Sequence, residues 1–228
     1  MKLFPVLDLV ALAAFVLAWS AYTVAMEWSP HGKDALNARM HRFREVWMRR
    51  ALEREARMVD TMIMASLQNG TAFFASTTLF AIGGSLALLR ATNEVQPILD
   101  KLPMGFSASP GLWEIKVIGL VIILIYAFFK FAWAYRLFNY VAILIGGMPH
   151  ASEAGTPEAN AHVKRTVRLF ESAGRHFNRG QRALFFALGY LGWFAGPYAF
   201  MAATVATVIV MWRRQFASES RRAIADEG

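Results

Sequence analysis

Residues 112–147 read LWEIKVIGLVIILIYAFFKFAWAYRLFNYVAILIGG, over thirty residues with no proline and almost all of them apolar. Water is absent from a bilayer core, so a segment there must satisfy its own backbone hydrogen bonds, and a helix of about twenty apolar residues does so across the whole thickness. The stretch predicts a long transmembrane helix, around which the rest of the chain has to be arranged. Lys130 and Arg136 lie deep inside it. Charges within a span are rare and often functional, which makes these two the first places to look for a role.

The chain of 228 residues is 56% apolar and 18% charged, outside the range of ordinary soluble domains. Apolar runs at residues 5–26, 63–89, 112–145 and 183–212 predict an all-α polytopic membrane protein, a single domain of four transmembrane helices. Two connectors, 27–62 and 146–182, are left to carry amphipathic helices. The formal net charge of +8 would suggest nucleic acid in a soluble chain, but here Lys and Arg gather in those connectors, where the positive-inside rule puts them. No nucleic-acid module accompanies the charge, so no nucleic-acid partner is expected. There is no cysteine, hence no disulfide framework, thiolate metal site or thiol nucleophile.

Lys2 before an apolar run, with Ala18-Trp19-Ser20 as a small-residue site, has the outline of a cleaved export signal. The run is too long for one, holds Asp8, and leads into an arginine-rich loop, so it is expected to stay as the first span. Asp8 either sits in the headgroup region, capping its first turn, or pairs with a cation on a neighbouring span, for which Lys116 is the natural candidate.

Residues 27–62 hold eight Lys or Arg against six acids and belong on the cytoplasmic side. Leu36, Met40, Phe43, Trp47 and Ala51 recur at helical spacing, as do Met48, Leu52, Ala56, Val59 and Ile63, predicting an amphipathic helix that feeds the second span. Glu45 with Arg49, and Glu53 with Arg57, stand four apart in the favourable order. In the second span Asn69, Ser76 and Gly83 mark a small and polar stripe expected to pack against another helix. The loop from 90 to 111 has few charges and three prolines, and belongs outside. Gly146-Gly147-Met148-Pro149 ends the third span, and Thr156-Pro157-Glu158 caps a second amphipathic helix carrying Lys164, Arg165 and Arg168. In the fourth span Gly189, Gly192, Gly196, Ala199 and Ala203 form a small-residue face, and Pro197 predicts a kink. Four spans with both basic connectors inside put both termini outside, against the pull of Arg213, Arg214, Arg221 and Arg222.

The meaning of the central charges depends on where hydrocarbon lies along the third span. If it runs from 117 to about 133, Lys130 extends its ammonium to the inner boundary and Arg136 is interfacial. If it runs from 120 to 145, both are deep, at about 2.5–3.5 kcal/mol each, and a polar internal site of Lys130, Arg136, Tyr126, Asn139 and Asn69 becomes the alternative.

Several blocks together resemble one family. Trp47-Met48-Arg49-Arg50, Arg54-Glu55 through Asp60, Phe73-Phe74-Ala75-Ser76-Thr77, Leu112-Trp113-Glu114-x-Lys116, Tyr126-Ala127-Phe128-Phe129-Lys130-Phe131-x-Trp133 and Asn178-Arg179-Gly180-x-Arg182-Ala183 are similar, in the same order, to the bacterial and plant membrane proteins of domain of unknown function 599. The family pattern closes on two arginines, an acid and a phenylalanine, where this chain has Arg213-Arg214-Gln215-Phe216. The resemblance implies a multi-span membrane protein and no activity.

Nothing in the sequence assembles catalytic machinery. The five histidines fall in loops or helix flanks, none as H-E-x-x-H, and there is no nucleophile elbow or phosphate loop. No enzyme, metal or cofactor is expected. The reading is a non-catalytic component of the inner membrane, an oligomer or accessory subunit, whose Arg39, Arg42, Arg49, Arg50, Arg165 and Arg168 meet anionic lipid headgroups or a partner at the cytoplasmic face. The alternative is an oligomeric channel or transporter for a small ion using Lys130 and Arg136, and an enzyme acting on lipid is a third.

Overall fold

A computed structural model describes residues 5–28, 36–90, 110–217 and 219. Lys2, Lys33, the prolines at 97 and 103 and the arginines at 221 and 222, all used above, lie outside the described residues. Among those residues there are six α-helices and two short 3-10 turns, with no strand: α1 (Val6–Glu27), α2 (Leu36–Glu53), α3 (Met58–Arg90), α4 (Pro110–Gly146), α5 (Pro157–Tyr190) and α6 (Pro197–Phe216). Among the described residues three helices, Val6–Glu27, Met58–Arg90 and Gly111–Gly146, are long and apolar enough to cross a membrane, not four. The chain divides into two compact units. The first takes Met1–Leu36, Thr78–Tyr126 and Arg182–Gly228, the second Asn37–Thr77 and Ala127–Gln181.

The correction lies in residues 183–212, expected as one kinked rod. In the first unit α5 stops at Tyr190, a 3-10 turn covers Leu191–Ala195, and α6 starts at Pro197. Gly196 stands at φ 124°, a conformation that L side chains rarely adopt, and Pro197 takes the first helical position, where its missing N–H costs nothing. A kink would carry the chain onward; this turn sends it back. Gly189 lies against Thr207, Gly192 against Ala199 and Ala203, and Phe185 under Arg214. The small residues expected on one face of one helix are thus the two sides of a single antiparallel contact, in which added Cβ atoms at Gly189 and Gly192 would lie only 2.6 and 2.8 Å from Thr207 and Ala203.

Phe15 and Trp19 of α1, Phe186 and Tyr190 of α5, Trp193 of the 3-10 turn and Phe200 of α6 fill the core of this unit, ring against ring. Phe15 meets Phe200 with centroids 5.0 Å apart, and Trp19 stacks on Phe186 at 5.2 Å. Such pairs add about 0.5–1.5 kcal/mol each beyond area burial, a gain that survives in lipid, where the hydrophobic drive between helices is absent.

The second unit gathers the amphipathic faces around the far half of α4. Ala134, Leu137, Phe138, Val141 and Ile145, at three- and four-residue steps, are buried against Met48, Ala51 and Leu52 of α2 and Ala159, Val163, Val167 and Phe170 of α5. α5 runs antiparallel to α4 here, with His162 at Leu144, Phe170 on Phe138 and Gly180 on Phe131. Thr156 caps α5, its hydroxyl accepting from the Ala159 N–H at 3.2 Å. α2 does not feed continuously into α3, because the helix ends at Glu53. Arg57 turns away from Glu53 and donates instead to the carbonyls of Ala51, Met148 and Pro149. Along α3 the face that packs is Met64, Thr71, Thr78 and Ser85, not the stripe of Asn69, Ser76 and Gly83, all of which are exposed. Thr71 and Ser85 tolerate burial because their hydroxyls bond back to the carbonyls of Leu67 and Ala81.

Candidate functional site

In the first unit three polar groups meet where water does not reach. Asp8 stands in the first turn of α1, Lys116 in the second turn of α4, and Trp193 in the 3-10 turn between α5 and α6. Each is at most 4% exposed. The Trp193 indole N–H donates to Asp8 Oδ1 at 2.6 Å, and Lys116 Nζ donates to the Trp193 carbonyl at 2.8 Å. The same ammonium lies 3.7 Å from Asp8 Oδ1 and 5.4 Å from the centre of the Trp193 ring. A buried charge is tolerable only when paired and hydrogen-bonded, and here the ammonium has a carboxylate, a carbonyl and a ring face. The structure therefore brings Asp8 to Lys116, with Trp193 as a third member that the sequence did not indicate. The cluster joins α1, α4 and the α5–α6 turn, and its polar atoms are turned on one another.

The opposite ends of the same helices carry a second set. Arg182 Nη2 donates to Glu27 Oε1 at 2.8 Å, with its guanidinium 5.9 Å from the centre of the Tyr22 ring. Arg214 of α6 lies over Phe185 at 5.0 Å. One end of the unit thus holds Asp8, Lys116 and Trp193, and the other Glu27, Arg182 and Arg214.

The other polar candidates are dispersed. Tyr126 is exposed and meets Trp19 edge-on at 6.0 Å. In the second unit Lys130 is half-buried and Arg136 exposed, and six residues of helix turn them about 120° apart. Arg136 Nε donates to the Tyr140 hydroxyl at 2.7 Å, and its guanidinium lies near the Trp133 and Tyr140 rings. Asn139 accepts from Gln68 at 2.7 Å, whereas Asn69, the expected partner, faces outward. The choice between adjacent residues is a matter of helix phase, which no single polar position reveals.

Of the basic candidates Arg39 is half-buried, while Arg42, Arg49, Arg50, Arg165 and Arg168 are exposed. Arg49 holds Glu45 at 2.7 Å, and that hydrogen bond keeps the Glu45 carboxyl below its usual range. Arg44, between the basic positions, instead turns inward over Phe170 at 5.3 Å, and burial lowers its pKa. Glu45, Val163, Lys164, Val167 and Arg168 line a groove of about 190 Å³ between α2 and α5.

Sequence reasoning missed the polar joint below α2. Asp60, fully buried, accepts from Trp47 Nε1 and from Arg54 Nη1, each at 2.6 Å. His162 reaches the Leu144 carbonyl at 2.7 Å, and Arg57 the carbonyls just past α4, so side chains answer backbone groups that a helix end leaves open. Trp47, Arg54 and Asp60 all fall in blocks that carried the family resemblance, which was the available signal. Among the described residues no group of three or more His, Asp or Glu could hold a metal ion.

A family model described as "Protein of unknown function, DUF599" matches residues 10–220. No curated protein and no solved structure matches the chain.

Proposed function

Because the chain belongs to the DUF599 family, a membership that brings no activity with it, we propose from its own geometry that it is a non-catalytic component of the cytoplasmic membrane, assembled as a homo-oligomer or as an accessory subunit. The observation that carries this is the disposition of charge: Asp8 and Lys116 are used up on each other and on Trp193, while the exposed arginines stand on α2 and α5. A transport route needs charged groups directed into a shared polar interior. Arg136 faces outward, so the geometry favours assembly over an ion pathway.

We propose five crossings: α1, α3, α4, the end of α5 with its 3-10 turn, and α6. The antiparallel return at Gly196 supports the fifth, and it brings Arg213 and Arg214 to the end that holds Glu27 and Arg182. That leaves the amino-terminal end outside and the carboxyl-terminal end in the cytosol, in place of both termini outside, and it removes the conflict with the positive-inside rule. Along α4 hydrocarbon is expected from 117 to about 133. Beyond that the helix is clad by α2 and α5, whose outer faces are too basic for acyl chains and suit anionic headgroups.

Oligomer or subunit, the protein has apolar helix surface available for a neighbour. Phe73 and Phe80 of α3 are 66% and 79% exposed, and open space surrounds Gly83. Purified in mild detergent and weighed by native mass spectrometry, the protein is expected at a multiple of its 25.5 kDa chain mass or with a stoichiometric partner. A lone monomer without a partner overturns this reading.

A further inference from the structure

We propose that Arg136 is the anchor of a phospholipid site, receiving the phosphate of one inner-leaflet lipid on the outer face of α4. The inference rests on the membrane reading above and goes beyond it to a ligand and the residues that hold it.

Arg136 is exposed on a largely apolar helix, and it is not left loose there. Its Nε is committed to the Tyr140 hydroxyl at 2.7 Å, one turn away, and its guanidinium carbon lies 5.7 and 5.6 Å from the centres of the Trp133 and Tyr140 rings. Those contacts fix the plane of the fork and leave both terminal nitrogens without a hydrogen bond among the described residues. A guanidinium oriented in this way presents two parallel N–H donors, the geometry that matches two oxygens of a phosphate diester. Pre-orientation matters for affinity, since a free arginine side chain carries rotamer entropy that binding would otherwise have to remove.

The surroundings select a lipid over a free ion. Phe129, 64% exposed on the same ridge and on the hydrocarbon side of the Trp133–Arg136–Tyr140 cluster, offers bare apolar surface to an acyl chain. Trp and Tyr rings favour the headgroup level of a bilayer, where phosphates are concentrated. Among the described residues no carboxylate forms an ion pair with Arg136, whose polar and ring partners are Trp133 and Tyr140. A charge on the outward face, an oriented donor pair and apolar surface on the hydrocarbon side are what a headgroup with its chains requires. An internal ion pathway needs none of them.

The test uses full-length protein extracted in mild detergent from membranes containing phosphatidylglycerol, and counts retained lipid by native mass spectrometry. The wild type is expected to hold about one phospholipid per chain through delipidation. Arg136→Met should lower that retention about tenfold, and Tyr140→Phe, which keeps the ring but frees Nε, by a smaller factor. Arg136→Lys should fall between, since it keeps charge but not the fork. Adding inorganic phosphate at millimolar concentration should not displace the lipid; displacement would mean a free-phosphate site and overturn the lipid assignment. Equal retention in wild type and Arg136→Met, with both proteins still recovered only by detergent, overturns the site while leaving the membrane reading intact. Recovery of wild type without detergent would instead reject the membrane reading itself.

Discussion

Replacing Lys116 by methionine should lower stability by about 3–5 kcal/mol, the usual cost of removing one partner from a buried ion pair. For a chain of this length, 3 kcal/mol corresponds to a fall in Tm of about 6–12 °C. The variant leaves the Asp8 carboxylate at 4% exposure with only the Trp193 indole as donor. Asp8→Asn is expected to cost a similar amount for the opposite reason: the indole keeps its acceptor, but the ammonium loses its counter-charge. The double variant removes both charges and retains the Trp193 bond, so it should recover most of the loss. Thermal unfolding of the four proteins in one detergent checks this. Additive losses would show that Asp8 and Lys116 do not act as a pair.

Asp60 should be the second most sensitive position. Its exposure is 0%, it takes two hydrogen bonds of 2.6 Å, and it lies in the first turn of α3, where a negative charge meets the positive end of the helix dipole. Asp60→Ala strands the Trp47 N–H, worth about 1–3 kcal/mol when buried, and forfeits about 0.3–1 kcal/mol of dipole interaction. The salt bridge itself adds little, because the Arg54 side chain is 41% exposed and returns to water when released. Arg54→Gln is accordingly expected to cost less than about 1 kcal/mol. Chemical denaturation of the two variants side by side tests the difference, and equal losses would assign the stability to the ion pair and not to the half-buried Trp47–Asp60 bond.

The long apolar runs announced α1, α3 and α4, and three- and four-residue spacing announced α2 and α5, since one solvated face leaves a readable period. The Asp8–Lys116 pairing could be anticipated from two charges near corresponding ends of their spans. What stayed hidden was phase and direction. On α3 the stripe Asn69, Ser76, Gly83 and the face Met64, Thr71, Thr78, Ser85 both repeat every seven residues, with small or polar side chains at all but Met64, and only the neighbouring helices decide which is buried. Between 183 and 212 no charged residue interrupts the run, so one rod and a tight hairpin look alike in hydropathy. The clues were the small residues on both sides of Gly196 and the terminal arginines that fitted four crossings badly. For Arg136 an interfacial place and a place in an inner site both stayed open, because its position along α4 is legible in the sequence and its direction is not.

If the chain doubles back at Gly196 as proposed, its carboxyl-terminal end lies in the cytosol. The absence of cysteine makes single-cysteine labelling direct. In intact cells treated with an impermeant thiol reagent, Glu114→Cys should label, while Arg42→Cys and Ala217→Cys should stay protected until the membrane is opened. Labelling of Ala217→Cys from outside together with Glu114→Cys, with Arg42→Cys still protected, would contradict the hairpin and restore a single crossing between 183 and 212.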